Sequence, residues 1–296
     1  MKRALVTGGC GFIGSYVVQG LLKNGYEVIV IDNLVSGKRS NIDATVRVVE
    51  VDIRNYQDLL PHINEDDIIF HLAALTSVPG SIENPLPYHE TNIKGTYNVF
   101  EAAREKKASG VIFSSSAAVY GNQEGVVDET VTPCPNTPYG LQKLMGEALG
   151  NMYGNLFSLP VISLRYFNVY GEGNHEEGSY APVTARFLKA RREGRPLSIV
   201  DDGTQTRDFV HVTDIARANV LAINLLEKKQ GETINVCSGV STSIISIADT
   251  IGGEKEFLPP RQEIKHSSGN NKKALELLGF SASISLEEGL SALLKP

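Results

Sequence analysis

The chain has 296 residues, 42% of them hydrophobic and 21% charged, with a formal net charge of −6. That length allows a substantial buried core, as one large domain or two closely joined ones. The acidic balance, without a basic stripe, argues against nucleic acid as a partner, and no apolar run approaches the ~20 residues of a membrane span.

Short β-rich runs alternate with helical ones, which predicts a parallel sheet covered by helices. The first strand, 3–7, runs into Thr7-Gly8-Gly9-Cys10-Gly11-Phe12-Ile13-Gly14. Gly8, Gly11 and Gly14 form G-x-x-G-x-x-G between that strand and a helix at 12–24. Such spacing gives a tight turn, a backbone bare enough to touch a pyrophosphate, and close helix–strand packing. The helix N-terminus adds free N–H groups and a partial positive charge. A second strand, 27–32, ends on Asp32, whose carboxylate can accept from both adenosine ribose hydroxyls. It would repel a 2′-phosphate by about 1 kcal/mol at ~4 Å in water and ~4 kcal/mol at an effective dielectric of about 20. Lys38 and Arg39 lie nearby and favour phosphate, but Asp32 holds the decisive place, so NAD is expected over NADP.

Strands at 46–51 and 68–72 and helices at 56–62 and 85–107 follow. A fifth strand, 110–114, leads into Ser114-Ser115-Ser116 at the carboxyl edge, where such sheets bind ligands. The next helix, 138–153, opens with Thr137 as N-cap and Pro138 at its first position. Tyr139 and Lys143 are then i and i+4 on one face. A tyrosine with pKa about 10 needs some three units, or ~4 kcal/mol, to serve as a base at pH 7. A lysine cation within ~4–6 Å supplies one to three of them and a positively charged nicotinamide adds to that, so a phenolate is expected near neutral pH. A serine hydroxyl in that stretch would orient the reacting hydroxyl for Tyr139.

A sixth strand lies at 161–165. Beyond it glycine, charge and proline dominate 171–178, with helices near 180–193 and 213–227, the latter amphipathic enough to return to the sheet. The expected fold class is α/β: a Rossmann-type doubly wound parallel sheet over 1–166, rejoined by 208–230, with a smaller C-terminal α/β substrate-binding portion over 167–296. Cys10, Cys134 and Cys237 form no zinc-ligand spacing with histidine, so no metal is expected and the thiols read as reduced. With no charged-then-apolar segment ahead of the first strand, a cytoplasmic location is expected.

Glycine triplet, strand-end acid, serine and Tyr/Lys, in this order, resemble the extended short-chain dehydrogenase/reductases, specifically the nucleotide-sugar 4-epimerases such as UDP-glucose 4-epimerase. The matching text is TGGCGFIG, VIDNLVSGKRSN, VDIRN, FHLAALTSVP, TNIKGT, FSSSAAVYG, TPYGLQK, LRYFNVYG and GTQTRDFVHV. The resemblance weakens after Gly239. It implies that Ser116, Tyr139 and Lys143 are catalytic. It also implies that Phe12, Ile13, Asp32, Asn33, Leu34, Ser36, Gly37, Asp52, Ile53, Leu72, Ala73, Ala74, Thr76, Thr91, Ser114 and Phe167 lie on NAD beside the three glycines and the Tyr/Lys pair. Ser77, Ser116, Asn168, Arg207 and Arg261 would contact a UDP-sugar, the two arginines as planar donors to its diphosphate. In such enzymes the C4 hydride of the hexose passes to NAD, and the 4-keto sugar turns over and recovers it on the other face. A homodimer built on 85–107 and 138–153 is expected from the same resemblance.

Two departures bear on the sugar. Thr76 stands where some UDP-galactose epimerases carry lysine, and Ser267 stands about where stricter enzymes carry a larger gate residue. Both hint at room for an N-acetyl group. Nucleotide-sugar 4,6-dehydratases and decarboxylases are the rival activities, and both tend to place acids just before Val119-Tyr120-Gly121, where this chain has Ala117 and Ala118. A catalytically silent NAD-sensing protein is the third alternative, and it would have no need of Ser116, Tyr139 and Lys143 together.

Overall fold

A computed structural model describes residues 2–175, 181–228, 231–260 and 265–295. Its strands are β1 (Arg3–Thr7), β2 (Glu27–Asp32), β3 (Arg47–Glu50), β4 (Ile68–His71), β5 (Gly110–Ser116), β6 (Gly125–Val127), β7 (Val161–Tyr166), β8 (Asn168–Tyr170), β9 (Leu197–Val200), β10 (Thr206–His211), β11 (Glu232–Val236), β12 (Ser241–Ser243), β13 (Lys255–Leu258) and β14 (Ser267–Gly269). The helices are α1 (Phe12–Lys23), α2 (Tyr56–Leu59), α3 (Val78–Glu83), α4 (Pro85–His89), α5 (Thr96–Glu105), α6 (Pro138–Phe157), α7 (Val183–Arg192), α8 (Val212–Leu226), α9 (Ile244–Ile251), α10 (Lys272–Leu278) and α11 (Leu286–Leu293).

Seven parallel strands form the main sheet in the order β11-β7-β5-β4-β1-β2-β3, the doubly wound arrangement. Both faces are covered, so its strands read as unbroken apolar runs: Ile29, Val30 and Ile31 of β2 are all buried. Their side chains alternate between faces. Val6, Val30 and Ile112 join Val17 and Leu21 of α1 and Ile215, Ala218 and Ala222 of α8 on one side. On the other, Leu5, Ile31, Ile69 and Phe113 meet Val99 and Phe100 of α5 and Tyr153 of α6. α8 and β11 thus sit within the sheet layers although the chain reaches them only after leaving β7.

What lies between β7 and β11, together with the C-terminal stretch and β6 from the loop after β5, builds three small sheets, β12-β10-β8, β13-β9 and β14-β6. The first two share a core of Tyr170, Phe187, Leu197, Ile199, Phe209, Ile247 and Leu290, while Val127 of β6 packs with Val119, Tyr120, Phe167 and Cys237.

The helix expected at 85–107 is instead three pieces: α4, a π-helical stretch Glu90–Gly95, and α5. Two contacts account for the wider turn. Asn92 turns toward the backbone of Leu75, donating to its carbonyl at 2.9 Å and accepting its N–H at 2.8 Å. Gly95 lies so close to Ile53 that a Cβ there would come within 2.6 Å of it. Such π-turns gather at functional sites. Elsewhere α6 runs four residues beyond the expected end, and Ser158 closes it in the left-handed region at φ 56°.

Candidate active site

The carboxyl ends of β1 to β5 and β7 converge on one edge of the sheet. At the first, Gly8 adopts φ +71° and lies against the backbone of Ala73. A Cβ on Gly14 would fall 2.1 Å from the Gly8 carbonyl, whereas one on Gly11 would meet only that carbonyl, at 3.3 Å. Gly14 is therefore glycine for packing and Gly11 for the open space in front of it. Gly11 caps α1 with no side-chain hydrogen bond, which leaves the first-turn amides, Phe12, Ile13 and Gly14, facing outward.

Asp32 is buried at the end of β2. Its Oδ2 accepts the Cys10 N–H and its Oδ1 the Leu34 N–H, each at 2.9 Å. A carboxylate has about four lone-pair directions, so the two oxygens retain acceptor capacity for a diol. Gly37 packs against Cys10 and this carboxylate, where a Cβ would sit 3.0 Å from Oδ2; Ser36 beside it is exposed. Arg39 does not act as the phosphate-favouring cation that its position suggests. Its guanidinium donates to the carbonyls of Ile42, Asp43, Ala44 and Val46, closing the loop after β2.

Asn33 donates to Asp52 at 2.9 Å, and Arg54 holds the same carboxyl down to about 2. Ile53 follows, its carbonyl taken by Asn98. Leu72, Ala73 and Ala74 leave β4 over a buried chain of hydroxyls. The Thr96 hydroxyl donates to the Asn92 carbonyl at 2.7 Å, so it accepts from His71 Nε2 at 2.9 Å, and Nδ1 accepts from Thr7 at 2.8 Å. Burial, aided by the nearby Lys143 charge, lowers His71 to about 3 and keeps it neutral. Thr91 lies in the π-turn, whose Asn92 also donates to Gln142 of α6. Thr76 is exposed just ahead of α3.

The structure brings Ser116, Tyr139 and Lys143 together at the end of β5. Thr137 caps α6 by accepting the Gly140 N–H, with Pro138 in the first turn. Ser81 of α3 accepts the Tyr139 N–H at 3.2 Å and pins the helix start. Lys143 Nζ donates to the Ser114 carbonyl at 2.7 Å and lies 5.9 Å from the Tyr139 ring centre and 5.1 Å from that of Phe113. The hydroxyl of Ser116 accepts the Ala118 N–H and lies beside the Tyr139 phenol, whose pKa it lowers.

The expectation of a near-neutral phenolate includes the nicotinamide charge, and the protein by itself starts well above neutrality. Burial pushes Tyr139 up to about 12, with Ser116 only partly opposing it. Burial also lowers Lys143 to about 8, against the raising effect of Glu147. Desolvation is the largest cause for each because both groups are shut away from water.

The expected substrate contacts are more dispersed. Ser77 accepts the Gly80 N–H as the N-cap of α3. Phe167 is buried and tilted against Tyr120, while Asn168, exposed on β8, donates to the Asp208 carbonyl at 2.8 Å. Arg207 lies on β10, opposite Thr242 of β12, and donates to the Thr206 carbonyl. These last two therefore stand on a different sheet from the Ser/Tyr/Lys group. Ser267 begins β14, in register with Gly125 of β6. Arg261 lies outside the described residues.

Residues 4–237 match the NAD dependent epimerase/dehydratase family. The chain belongs to it. Among relatives of this family member, UDP-glucose 4-epimerase of Mycolicibacterium smegmatis is 37% identical, covering 98% of this chain and 96% of its own. UDP-N-acetyl-alpha-D-glucosaminuronate decarboxylase of Bacillus cytotoxicus is 33% identical over 98% and 95%. A crystal structure of UDP-glucose 4-epimerase from Thermotoga maritima with UDP-glucose superposes with a TM-score of 0.92 at 36% identity, covering 99% and 97%.

The cofactor of this epimerase/dehydratase fold fits the residues present. The bare face of Gly11, the outward amides of α1 and the acceptor capacity left on Asp32 suit a pyrophosphate and a free ribose diol. Sequence reasoning passed over several polar residues that hold the site: His71, Ser81, Asn92, Gln142, Glu147, Arg165 and Asp208. Glu147 had one available signal, its place four residues beyond Lys143.

Proposed function

We propose that the protein interconverts the C4 epimers of a UDP-hexose, UDP-glucose and UDP-galactose in the first place. What carries this reading is the Ser116–Tyr139–Lys143 group, with its tyrosine and lysine buried, beside the glycine turn and followed by Ala117 and Ala118. NAD, when bound, supplies a reversible two-electron sink for the carbon bearing the sugar hydroxyl, and its positive charge helps draw the phenol below its resting value near 12. Tyr139 takes the 4-hydroxyl proton and later returns it. Ser116 orients that hydroxyl, and Lys143, anchored on the Ser114 carbonyl, stabilises the phenolate. Arg207, Asn168 and Arg261 grip the UDP moiety. The similarity to a decarboxylase supports a second reading less well, because neither alanine can move a proton.

The same reading includes a homodimer in the cytoplasm. Tyr97 of α5 and Leu141, Met145, Met152, Leu156 and Phe157 of α6 leave large apolar side chains exposed, a stripe suited to a four-helix contact between two copies. Three unpaired thiols suit a reducing compartment.

Proton NMR of the purified protein with UDP-glucose and, separately, UDP-N-acetylglucosamine, with no cofactor added, tests the assignment. Appearance of the C4 epimer supports it. Conversion of the N-acetylated sugar as well supports a small gate at Ser267. Conversion of neither sugar, even with NAD supplied, overturns the epimerase reading.

A further inference from the structure

Behind the reacting side chains lies a buried polar network that the proposed chemistry does not itself use. Tyr139, Lys143 and Glu147 follow one another at four-residue spacing along α6, so all three face the sheet. Glu147 and Arg165 of β7 are 4% and 5% exposed at the side chain and form a two-point pair, Nε to Oε1 at 2.9 Å and Nη2 to Oε2 at 2.7 Å. Oε1 also accepts the hydroxyl of Ser115. Arg165 is the register partner of Ser115, just as Tyr166 is of Ser116. Its remaining nitrogen donates to the Tyr120 hydroxyl at 2.8 Å, which in turn donates to Asn235 of β11 at 2.7 Å.

Stability does not account for the pair. Apolar residues of similar volume commonly replace a buried ion pair with no loss. Position accounts for it better. The Glu147 carboxylate grips the residue between Ser114, whose carbonyl anchors Lys143, and Ser116, whose hydroxyl meets Tyr139.

We propose that Glu147, backed by Arg165, is a positioning residue of the active site: it clamps the end of β5 to α6 and keeps a negative charge one turn from the Lys143 ammonium. This rests on the epimerase reading above. Around Lys143 the titratable and charged groups are Tyr139 and Glu147 on α6, His71 on β4 and, behind Ser114 and Ser115, Tyr166 and Arg165 on β7. Burial holds His71 neutral and pushes Tyr166 up, which leaves Glu147 as the anion of the set. Without it, and with Arg165 uncompensated, the ammonium is lost at a lower pH.

The test compares wild type with Glu147→Gln, Ser115→Ala and the double variant Glu147→Gln/Arg165→Met, measuring epimer formation from UDP-glucose, the pH profile of kcat, and thermal unfolding. Glu147→Gln is expected to lower kcat by about tenfold or more with KM nearly unchanged, and to move the alkaline limb toward lower pH. Ser115→Ala keeps both charges and is expected to lower kcat severalfold at constant KM. The double variant is expected to recover thermal stability without recovering kcat. A wild-type pH profile and kcat in Glu147→Gln, or full activity in the double variant, overturns the proposal. Should Glu147→Gln fail to fold, unchanged kcat in Ser115→Ala overturns it alone. A wild-type protein that converts no sugar would refute the epimerase assignment instead, so the two failures are distinct.

Discussion

Replacing Lys143 by Met should cost activity yet stabilise the cofactor-free protein at neutral pH. The ammonium is 4% exposed, and burial brings it from 10.5 to about 8. At 1.36 kcal/mol per pKa unit this makes the buried charge destabilising by ~3 kcal/mol. Methionine fills a similar volume with no charge but forfeits the 2.7 Å bond to the Ser114 carbonyl, a loss of ~1–2 kcal/mol. The net gain is ~1–2 kcal/mol at pH 7. Its sign changes with pH in a defined way. Below about 8 the lysine is protonated in both folded and unfolded chains, and the full penalty applies. Between about 8 and 10.5 the unfolded chain binds more protons than the folded one, so wild type gains stability as pH rises. Urea unfolding of both proteins without cofactor, at pH 7 and pH 10, reads this directly. The variant's advantage should appear at pH 7 and vanish by pH 10. A variant less stable at pH 7, or an offset that is the same at both values, would refute the reasoning.

Three further expectations follow from the geometry. Gly11→Ala should fold normally and lose NAD affinity, measured by cofactor titration, whereas Gly14→Ala should lose ~3 kcal/mol or more, or fail to fold, because its Cβ meets a backbone carbonyl at 2.1 Å. Tyr139→Phe should lower turnover by ~10²–10⁴-fold while NAD still co-purifies; retained turnover would remove the tyrosine from its role. Leu156→Glu, placed on a side chain 68% exposed, should weaken a dimer by roughly a hundredfold or more, with sedimentation moving to the monomer and circular dichroism unchanged.

Much of the main sheet is legible in the sequence because a strand covered on both faces reads as a continuous apolar run, as β1, β2 and β4 do. The glycine turn and the Thr137–Pro138 helix start are legible for a similar reason: local backbone chemistry decides them. The π-turn at 90–95 is not, since it depends on Asn92 reaching Leu75, 17 positions away. Arg39 looks like a free cation until its loop closes onto it. Glu147 and Arg165 each look like surface charges. Only the tertiary fold shows that they are buried and paired, and that the sheet register aligns Ser115 with Arg165. The tyrosine's resting pKa is not legible either, because i and i+4 spacing states a separation and says nothing of water. The three-residue strands β8, β12 and β14 are too short to carry any pattern and take their form from their neighbours.

That β11 and α8 lie within the main sheet layers has a consequence for how the enzyme can be cut and how it is made. The segment carrying Asn168 and Arg207 is an excursion from the sheet, tied down at β7 on one side and at α8 and β11 on the other. A fragment ending at residue 166 would leave Val17, Val18 and Leu21 of α1 without the cover of α8 and would turn β7 into an open edge, inviting aggregation. During synthesis the cofactor-binding layer stays incomplete until residue 236 has emerged, long after the glycine turn was made. Both ends of the excursion are therefore held by the main sheet layers.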